Sequence, residues 1–111
     1  MFSSITRARA INTRIALATT KKGDLSITEY ISKMRTLGDE MANTGKPLDD
    51  NELVSYILTG IDSDDYNPVI TSLIIRVEPV KVGEVFSQLL SFEQRMSFFM
   101  AAMIHTTPPT W

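Results

Sequence analysis

Few side chains in this 111-residue sequence are of types that could do chemistry. It has one histidine, His105, and no cysteine. The lack of cysteine excludes disulfides, thiolate metal sites and a cysteine nucleophile from this sequence. His105 has no acid or hydroxyl at helical spacing to orient it, so we interpret it as a surface histidine rather than a general base.

Three closely spaced acids, Asp62, Asp64 and Asp65, raise the question of a metal site. An EF-hand loop counted from Asp62 needs glycine at its sixth position and glutamate at its twelfth. The sequence has Asn67 and Leu73 there, so we interpret the acids as turn and cap residues. The glycines are isolated from one another, which excludes a phosphate-cradling loop. We therefore predict no enzyme activity, no cofactor, no metal and no small-molecule substrate.

Positive charge is concentrated at the start of the chain. Residues 1–22 contain no acid and five cations: Arg7, Arg9, Arg14, Lys21 and Lys22. Since the whole chain carries a net charge of −2, the remainder is acidic. We favour a solvated basic helix face as the explanation. The alternatives are attraction between copies or contact with nucleic-acid phosphates.

The clearest helix signal covers residues 26–43. Ser26 and Glu29 have the spacing of a capping box, in which each caps a backbone N–H of the other. Behind them runs one apolar helical face: Ile27, Tyr30, Ile31, Met34, Leu37, Gly38 and Met41. We predict that Tyr30 is a core residue with a hydrogen-bonded hydroxyl. Gly23 is predicted to take the left-handed turn ahead of this helix.

Four further helices are predicted around it, over residues 4–20, 49–60, 69–77 and 81–102. The inward face predicted for the first is Ile5, Ala8, Ile11 or Asn12, Ile15 and Ala18. For the fourth helix it is Ile70, Leu73, Ile74 and Val77. For the last it is Val82, Val85, Phe86, Leu89, Leu90, Met96 and Met100. The β-branched run 69–77 favours a strand by propensity, but a lone strand has no partner.

The predicted fold is therefore all-α, a compact bundle of about five short helices. It divides into a basic N-terminal helix (1–22), a helical domain (23–96), and the end of the last helix with a loose, proline-containing tail (97–111). Phenylalanines and methionines between 92 and 103 suggest an apolar patch for a partner, although a truncated neighbour would leave the same trace. No run approaches the roughly 18 apolar residues of a membrane span, and we expect a cytoplasmic protein without membrane contact.

Several blocks in order resemble the Gag polyproteins of copia-type LTR retrotransposons, those of plants especially. Residues 22–37 read KGDLSITEYISKMRTL, and residues 45–61 read GKPLDDNELVSYILTGI. Shorter blocks follow at 66–69 (YNPV), 76–80 (RVEPV) and 88–96 (QLLSFEQRM). The resemblance covers residues 21–96 and implies a capsid-like domain that builds a virus-like particle around the element's RNA.

The resemblance also implies roles for individual residues. The segment from Gly23 to Met34 is similar to the major homology region of retroviral capsids. That region is stabilised by a glycine turn, a buried acid and an aromatic residue on one helix. Gly23, Glu29 and Tyr30 would then be structural and assembly residues, and Ser26, Met34 and Leu37 belong to the same motif.

The sequence departs from the family pattern at both ends. The family's upstream portion is missing before Met1, the pattern is lost after Met96, and no cysteine–histidine knuckle follows. We therefore expect a Gag fragment, truncated at its N-terminus. Our first hypothesis is a structural domain that self-associates weakly in isolation and meets RNA through the full-length polyprotein. The alternative is a small helical nucleic-acid-binding protein that uses the basic N-terminal helix.

Overall fold

The computed structural model describes residues 2–105, and side chains for residues 4–103. The five helices are α1 (Phe2–Thr19), α2 (Ile27–Asn43), α3 (Asp50–Thr59), α4 (Asn67–Ile74) and α5 (Val82–His105). A 3₁₀ turn, Asp64–Tyr66, leads directly into α4. No strand occurs within residues 2–105, so the prediction of an all-α fold of five helices is confirmed. The tail predicted for 106–111 lies outside the described residues.

Helix α2 is the central element, and α1, α3 and α5 all pack against it. Its predicted inward face is confirmed, because five of its apolar residues are buried: Ile27, Tyr30, Ile31, Met34 and Met41. Leu37 and Gly38 are half-buried. A Cβ added at Gly38 would lie 3.4 Å from the Leu53 side chain, an ordinary van der Waals contact, so α3 packs beside this position.

Helix α1 buries a different face from the predicted one. Its buried residues are Ala10, Thr13 and Leu17, whereas Ile5, Ile11 and Ile15 are 52–62% exposed. The Thr13 hydroxyl donates a 3.5 Å hydrogen bond to the Glu40 carboxylate of α2, so this buried hydroxyl has a partner on the helix that covers it. Alanine and threonine give a weaker periodic signal than isoleucine, so the apolar pattern pointed to the wrong side. The prediction for this face is wrong.

Helix α4 begins near the predicted position but ends earlier. Pro68 lies in its first turn, where proline is favoured, and the cap position is Tyr66 because the 3₁₀ turn runs straight into the helix. Leu73 is buried as predicted. The helix ends before Val77, which is fully exposed, and Ile74 is 65% exposed. Both were predicted to face inward, and both lie instead where the chain turns away towards α5.

Helix α5 runs antiparallel to α2. Glu93 meets the first residue of α2, and the Phe86 ring lies under the Arg35 guanidinium, 5.8 Å away, farther along α2. Val82, Val85 and Leu89 are buried as predicted, and Met96 is half-buried. Met100, also predicted to face inward, is 57% exposed because α5 continues past the N-terminal end of α2, where no other helix covers it.

Candidate functional site

The N-terminus of α2 is closed by the predicted capping box. The Ser26 hydroxyl accepts a 3.1 Å hydrogen bond from the Glu29 N–H, and the Glu29 carboxylate accepts one of 3.2 Å from the Ser26 N–H. The hydrogen bond from the Ser26 backbone N–H to the carboxylate, and secondarily the Ser26 side chain, lower the pKa of Glu29. Glu29 is exposed, so it is not the buried acid that the resemblance to the retroviral capsid region implies. It turns back along the helix surface to reach Ser26 and therefore stays in solvent.

Gly23 takes the predicted left-handed conformation, with φ of +50°. It lies in a turn in which the Leu25 N–H donates to the Lys22 carbonyl at 2.9 Å. The Gly23 N–H donates to the Asp62 carboxylate at 3.2 Å. The linker between α1 and α2 is thereby held against the residues that follow α3.

Tyr30 lies at the point where three segments of the chain meet. Its side chain is fully buried, and its hydroxyl donates a 2.7 Å hydrogen bond to the Ile57 carbonyl near the end of α3. In a continuing helix the Ile57 carbonyl would accept from the Ile61 N–H, but that N–H donates to the Leu58 carbonyl. The Ile57 carbonyl therefore takes its hydrogen bond from outside the helix. Burial, and secondarily the negative charge of Asp62, raises the pKa of Tyr30. The prediction of a core tyrosine with a satisfied hydroxyl is confirmed.

The Tyr30 hydroxyl fills the space that a side chain at Gly60 would need. A Cβ at this position would overlap the Tyr30 hydroxyl and lie 2.5 Å from the Thr20 carbonyl oxygen. The Gly60 carbonyl accepts a 2.8 Å hydrogen bond from the Lys22 N–H, which draws the ends of α1 and α3 together. We call this cluster, Lys22, Tyr30, Ile57 and Gly60, the Tyr30 junction. A glycine at position 60 is typical of the end of a helix. Its contact with Tyr30 joins residues far apart in the sequence, so the spacing of neighbouring residues could not predict it.

Glu93 is a residue that the sequence analysis missed. Its carboxylate accepts a 2.8 Å hydrogen bond from the Ile27 N–H, so α5 caps a second donor at the start of α2. A negative charge at a helix N-terminus is also favoured by the helix dipole. The half-buried acid near α2 therefore comes from α5 rather than from the capping box. Nothing around Glu93 in the sequence signals this contact.

Tyr66 connects this cap to the linker before α2. Its ring centre lies 5.1 Å from that of Phe92, and the Lys22 ammonium lies 5.2 Å from the same Tyr66 ring centre. Burial first, and then the charges of Glu93 and Asp65, raise the pKa of Tyr66. Lys22 is only 9% exposed, which places it within the fold rather than on a cationic surface.

The five N-terminal cations do not form one surface. Arg14 lies 3.4 Å from the Tyr56 hydroxyl and 3.8 Å from the Glu52 carboxylate of α3. Arg7 and Arg9 are exposed on α1, but two residues apart they point to nearly opposite sides of the helix. Lys21 is exposed at the other end of α1, beside the buried Lys22.

Besides the exposed Ile74, Ile75 and Val77 at the end of α4, the described residues leave two exposed apolar surfaces. The first, which we call the α5 overhang, is residues 97–103; it exposes Phe98 (77%), Phe99 (62%), Met100 (57%) and Met103 (60%). Met100 and Met103 continue the stripe that α5 buries in the core, but beyond the end of the bundle. The second, the α1 outer stripe, consists of Ile5, Ala8, Ile11, Ile15 and Ala18. It is the face that the sequence pattern assigned to the core.

Within the described residues, no group of three or more acidic or histidine side chains is placed to hold a metal ion. None of the described helices is both long and apolar enough to cross a membrane.

Comparison with known proteins relates this chain to a transposable element. It is 29% identical over 83 residues to the Retrovirus-related Pol polyprotein from transposon RE1 of Arabidopsis thaliana. The chain is thus similar to a segment of a retrotransposon polyprotein. The match covers 75% of this chain and 6% of the relative, so the chain spans a small part of that protein's length. No family model and no solved structure matches it.

Proposed function

We propose that this chain is a structural, Gag-type domain of a retrotransposon polyprotein that self-associates to build a particle and performs no catalysis. The observation that carries the proposal is the α5 overhang, an apolar surface that the described residues leave exposed. The similarity to the RE1 polyprotein supports the retrotransposon origin. The resemblance of residues 21–96 to copia-type Gag supports the capsid-like role. Assembly of such a particle would take place in the cytoplasm.

The size of the overhang predicts weak association. Four large side chains of about 200 Å² each, roughly two-thirds exposed, sum to about 500 Å² of apolar surface, and this area is divided between sides of the helix because Phe98 and Met100 are two residues apart. A stable interface buries about 800 Å² on each partner. One overhang therefore supports contacts that form at high local concentration, as between polyproteins gathered on one RNA, and that fall apart in dilute solution.

Nucleic-acid binding is the competing function, and the positions of the cations reduce its support. Lys22 is buried against Tyr66 and Arg14 faces Glu52 and Tyr56, which leaves Arg7, Arg9 and Lys21 exposed. Binding through so few phosphate contacts would be weak and would decrease steeply with salt. Contact with retrotransposon RNA fits better as a property of the full-length polyprotein.

Light scattering coupled to size-exclusion chromatography tests the proposal. The chain is measured over rising concentrations in low and high salt. We expect the mass to increase with concentration and to hold or increase further in high salt, because apolar contacts persist under conditions that screen charge. A monomer at every concentration would refute self-association. A mass increase that appears only when RNA is added, and disappears with salt, would favour the nucleic-acid alternative.

A further inference from the structure

We propose that copies of this chain associate head to tail, with the α5 overhang of one copy packed on the α1 outer stripe of the next. This inference rests on the proposed self-association and specifies the two surfaces that carry it. Both surfaces are apolar, both are exposed, and each belongs to a helix whose opposite face or earlier turns lie in the core.

The two surfaces extend towards opposite ends of the molecule. Helix α5 is antiparallel to α2, so its last turns pass the N-terminus of α2, where Glu93 meets Ile27. Helix α1 is also antiparallel to α2, since Thr13 meets Glu40 and a short linker joins the end of α1 to the start of α2. The first turns of α1 therefore lie towards the C-terminal end of α2. A second copy placed along the same axis brings an overhang to an α1 outer stripe.

Charge favours this pairing over pairing between identical surfaces. Arg7 and Arg9 flank the α1 outer stripe, whereas the acids that contact α1, Glu40 at Thr13 and Glu52 at Arg14, come from α2 and α3. The end of the bundle from which the overhang extends carries Glu29 and Glu93 at the start of α2, Asp62 at Gly23 and Asp65 beside Tyr66. Three cations accompany them: Lys21, Lys22 and Arg95. Two α1 helices would bring arginines together, and two overhangs would bring acidic ends together.

Head-to-tail contact also covers both surfaces at once. An isologous dimer through the overhang leaves the α1 outer stripe of both copies in solvent, and a dimer through α1 leaves both overhangs exposed. The heterologous contact leaves only one free surface at each end of a growing assembly, so it permits rings or open chains rather than a closed dimer.

Complementation between two variants tests the geometry. The first variant is Phe99→Gln with Met103→Gln, which removes two of the four large apolar side chains of the overhang, one turn apart on one side of the helix. The second is Ile11→Gln with Ile15→Gln, which removes the two central isoleucines of the α1 outer stripe. The control is Ile74→Gln with Val77→Gln, at exposed apolar positions away from both surfaces. Glutamine is a good helix former, and circular dichroism is to be used to check that each variant keeps its helix content.

We expect the wild type and the control to grow beyond a dimer with concentration. Each surface variant alone remains monomeric, with self-association weakened by about a hundredfold from the loss of two apolar contacts. An equal mixture of the two surface variants forms a heterodimer and stops there, because one intact overhang then meets one intact α1 surface.

Other results overturn the proposal in different ways. Dimers of the α1 variant alone would show overhang-to-overhang packing, and dimers of the overhang variant alone would show α1-to-α1 packing. A mixture that remains monomeric, a control that loses association, or a wild type that stops at a dimer would each contradict head-to-tail contact. A wild type that is monomeric at all concentrations refutes the proposed function itself rather than its geometry.

Discussion

Replacing Gly60 with alanine tests whether the Tyr30 junction stabilises the fold. The added Cβ would overlap the Tyr30 hydroxyl and lie 2.5 Å from the Thr20 carbonyl oxygen. Gly60 itself has φ of −80°, which any residue can adopt, so the cost comes from crowding rather than from backbone strain. Because both Tyr30 and the end of α1 are packed in place, neither can move without losing other contacts.

The expected cost follows from two contributions. Overpacking of a filled site costs about 1–3 kcal/mol. Displacement of the Tyr30 hydroxyl leaves the Ile57 carbonyl without its donor, which costs about 1–3 kcal/mol more. Alanine regains up to about 1 kcal/mol over glycine in conformational entropy. We therefore expect Gly60→Ala to lower the free energy of unfolding by about 1–6 kcal/mol and the Tm by about 4 °C for each kcal/mol.

Urea unfolding followed by circular dichroism measures this change, with Gly83→Ala as the matched control. Nothing lies within 4 Å of a Cβ at Gly83, in the first turn of α5, so alanine there should stabilise the protein by about 0.5–1 kcal/mol. Adding Tyr30→Phe to Gly60→Ala removes the overlapped oxygen. The double variant should then cost at least about 1 kcal/mol less than the sum of the two single changes. Equal effects of the two glycine substitutions, or strict additivity of the pair, would refute the close contact.

Three further predictions concern charge and protonation. Glu93→Gln should lower the free energy of unfolding by about 0.5–2 kcal/mol in the same urea assay, because α2 loses the charged cap at the Ile27 N–H; Gln94→Ala, on the exposed side, is its control. The raised pKa values of Tyr30 and Tyr66 favour the neutral phenol in the folded state. The contribution of these tyrosines to the free energy of unfolding should be fully present below about pH 10, the pKa of an unfolded tyrosine. Above that pH it should decrease by up to about 1.4 kcal/mol per pH unit per tyrosine, because the unfolded chain loses the proton first. Tyr30→Phe should make that decrease shallower. The lowered pKa of Glu29 acts in the opposite direction. Its contribution to the free energy of unfolding is present above the pKa of Glu29 in the unfolded chain and is lost as the pH falls through its pKa in the folded protein. Glu29→Gln should therefore make stability depend less on pH on the acid side.

Local patterns predict α2 and its cap, whereas the outer helices show where such patterns fail. The capping box at Ser26 and the apolar face around Tyr30 depend on residues three and four apart, and the structure has both. In α1 the isoleucines outweigh Ala10 and Thr13 in any apolar pattern, yet the smaller side chains are the ones that fit against α2. Periodicity identifies a helix with apolar residues, but it cannot choose between two apolar faces.

The contacts between helices at the start of α2 could not be predicted from the spacing of neighbouring residues either. Glu93 caps Ile27 across 66 residues of sequence, and Tyr30 bonds to Ile57 across 27. Gly60 is marked as a stop by its type, but its closeness to Tyr30 depends on how α2 and α3 cross. Sequence patterns describe each helix by itself, and these residues are defined by which helix faces which.

Stability and association are assigned to different parts of the chain. The Tyr30 junction and the Glu93 cap join α1, α2, α3 and α5 near the N-terminus of α2, and their hydrogen bonds are satisfied within one copy. The α5 overhang and the α1 outer stripe lie outside these contacts and are covered by nothing in the described part of the chain. Changes at Gly60 or Glu93 should therefore lower the Tm while leaving the surfaces intact in the molecules that stay folded. Changes at Phe99 or Ile15 should alter mass in solution at nearly constant Tm. This separation is what the proposed self-association requires, since the hydrogen bonds of the junction and the cap form within one copy and the exposed apolar surfaces are left for a partner.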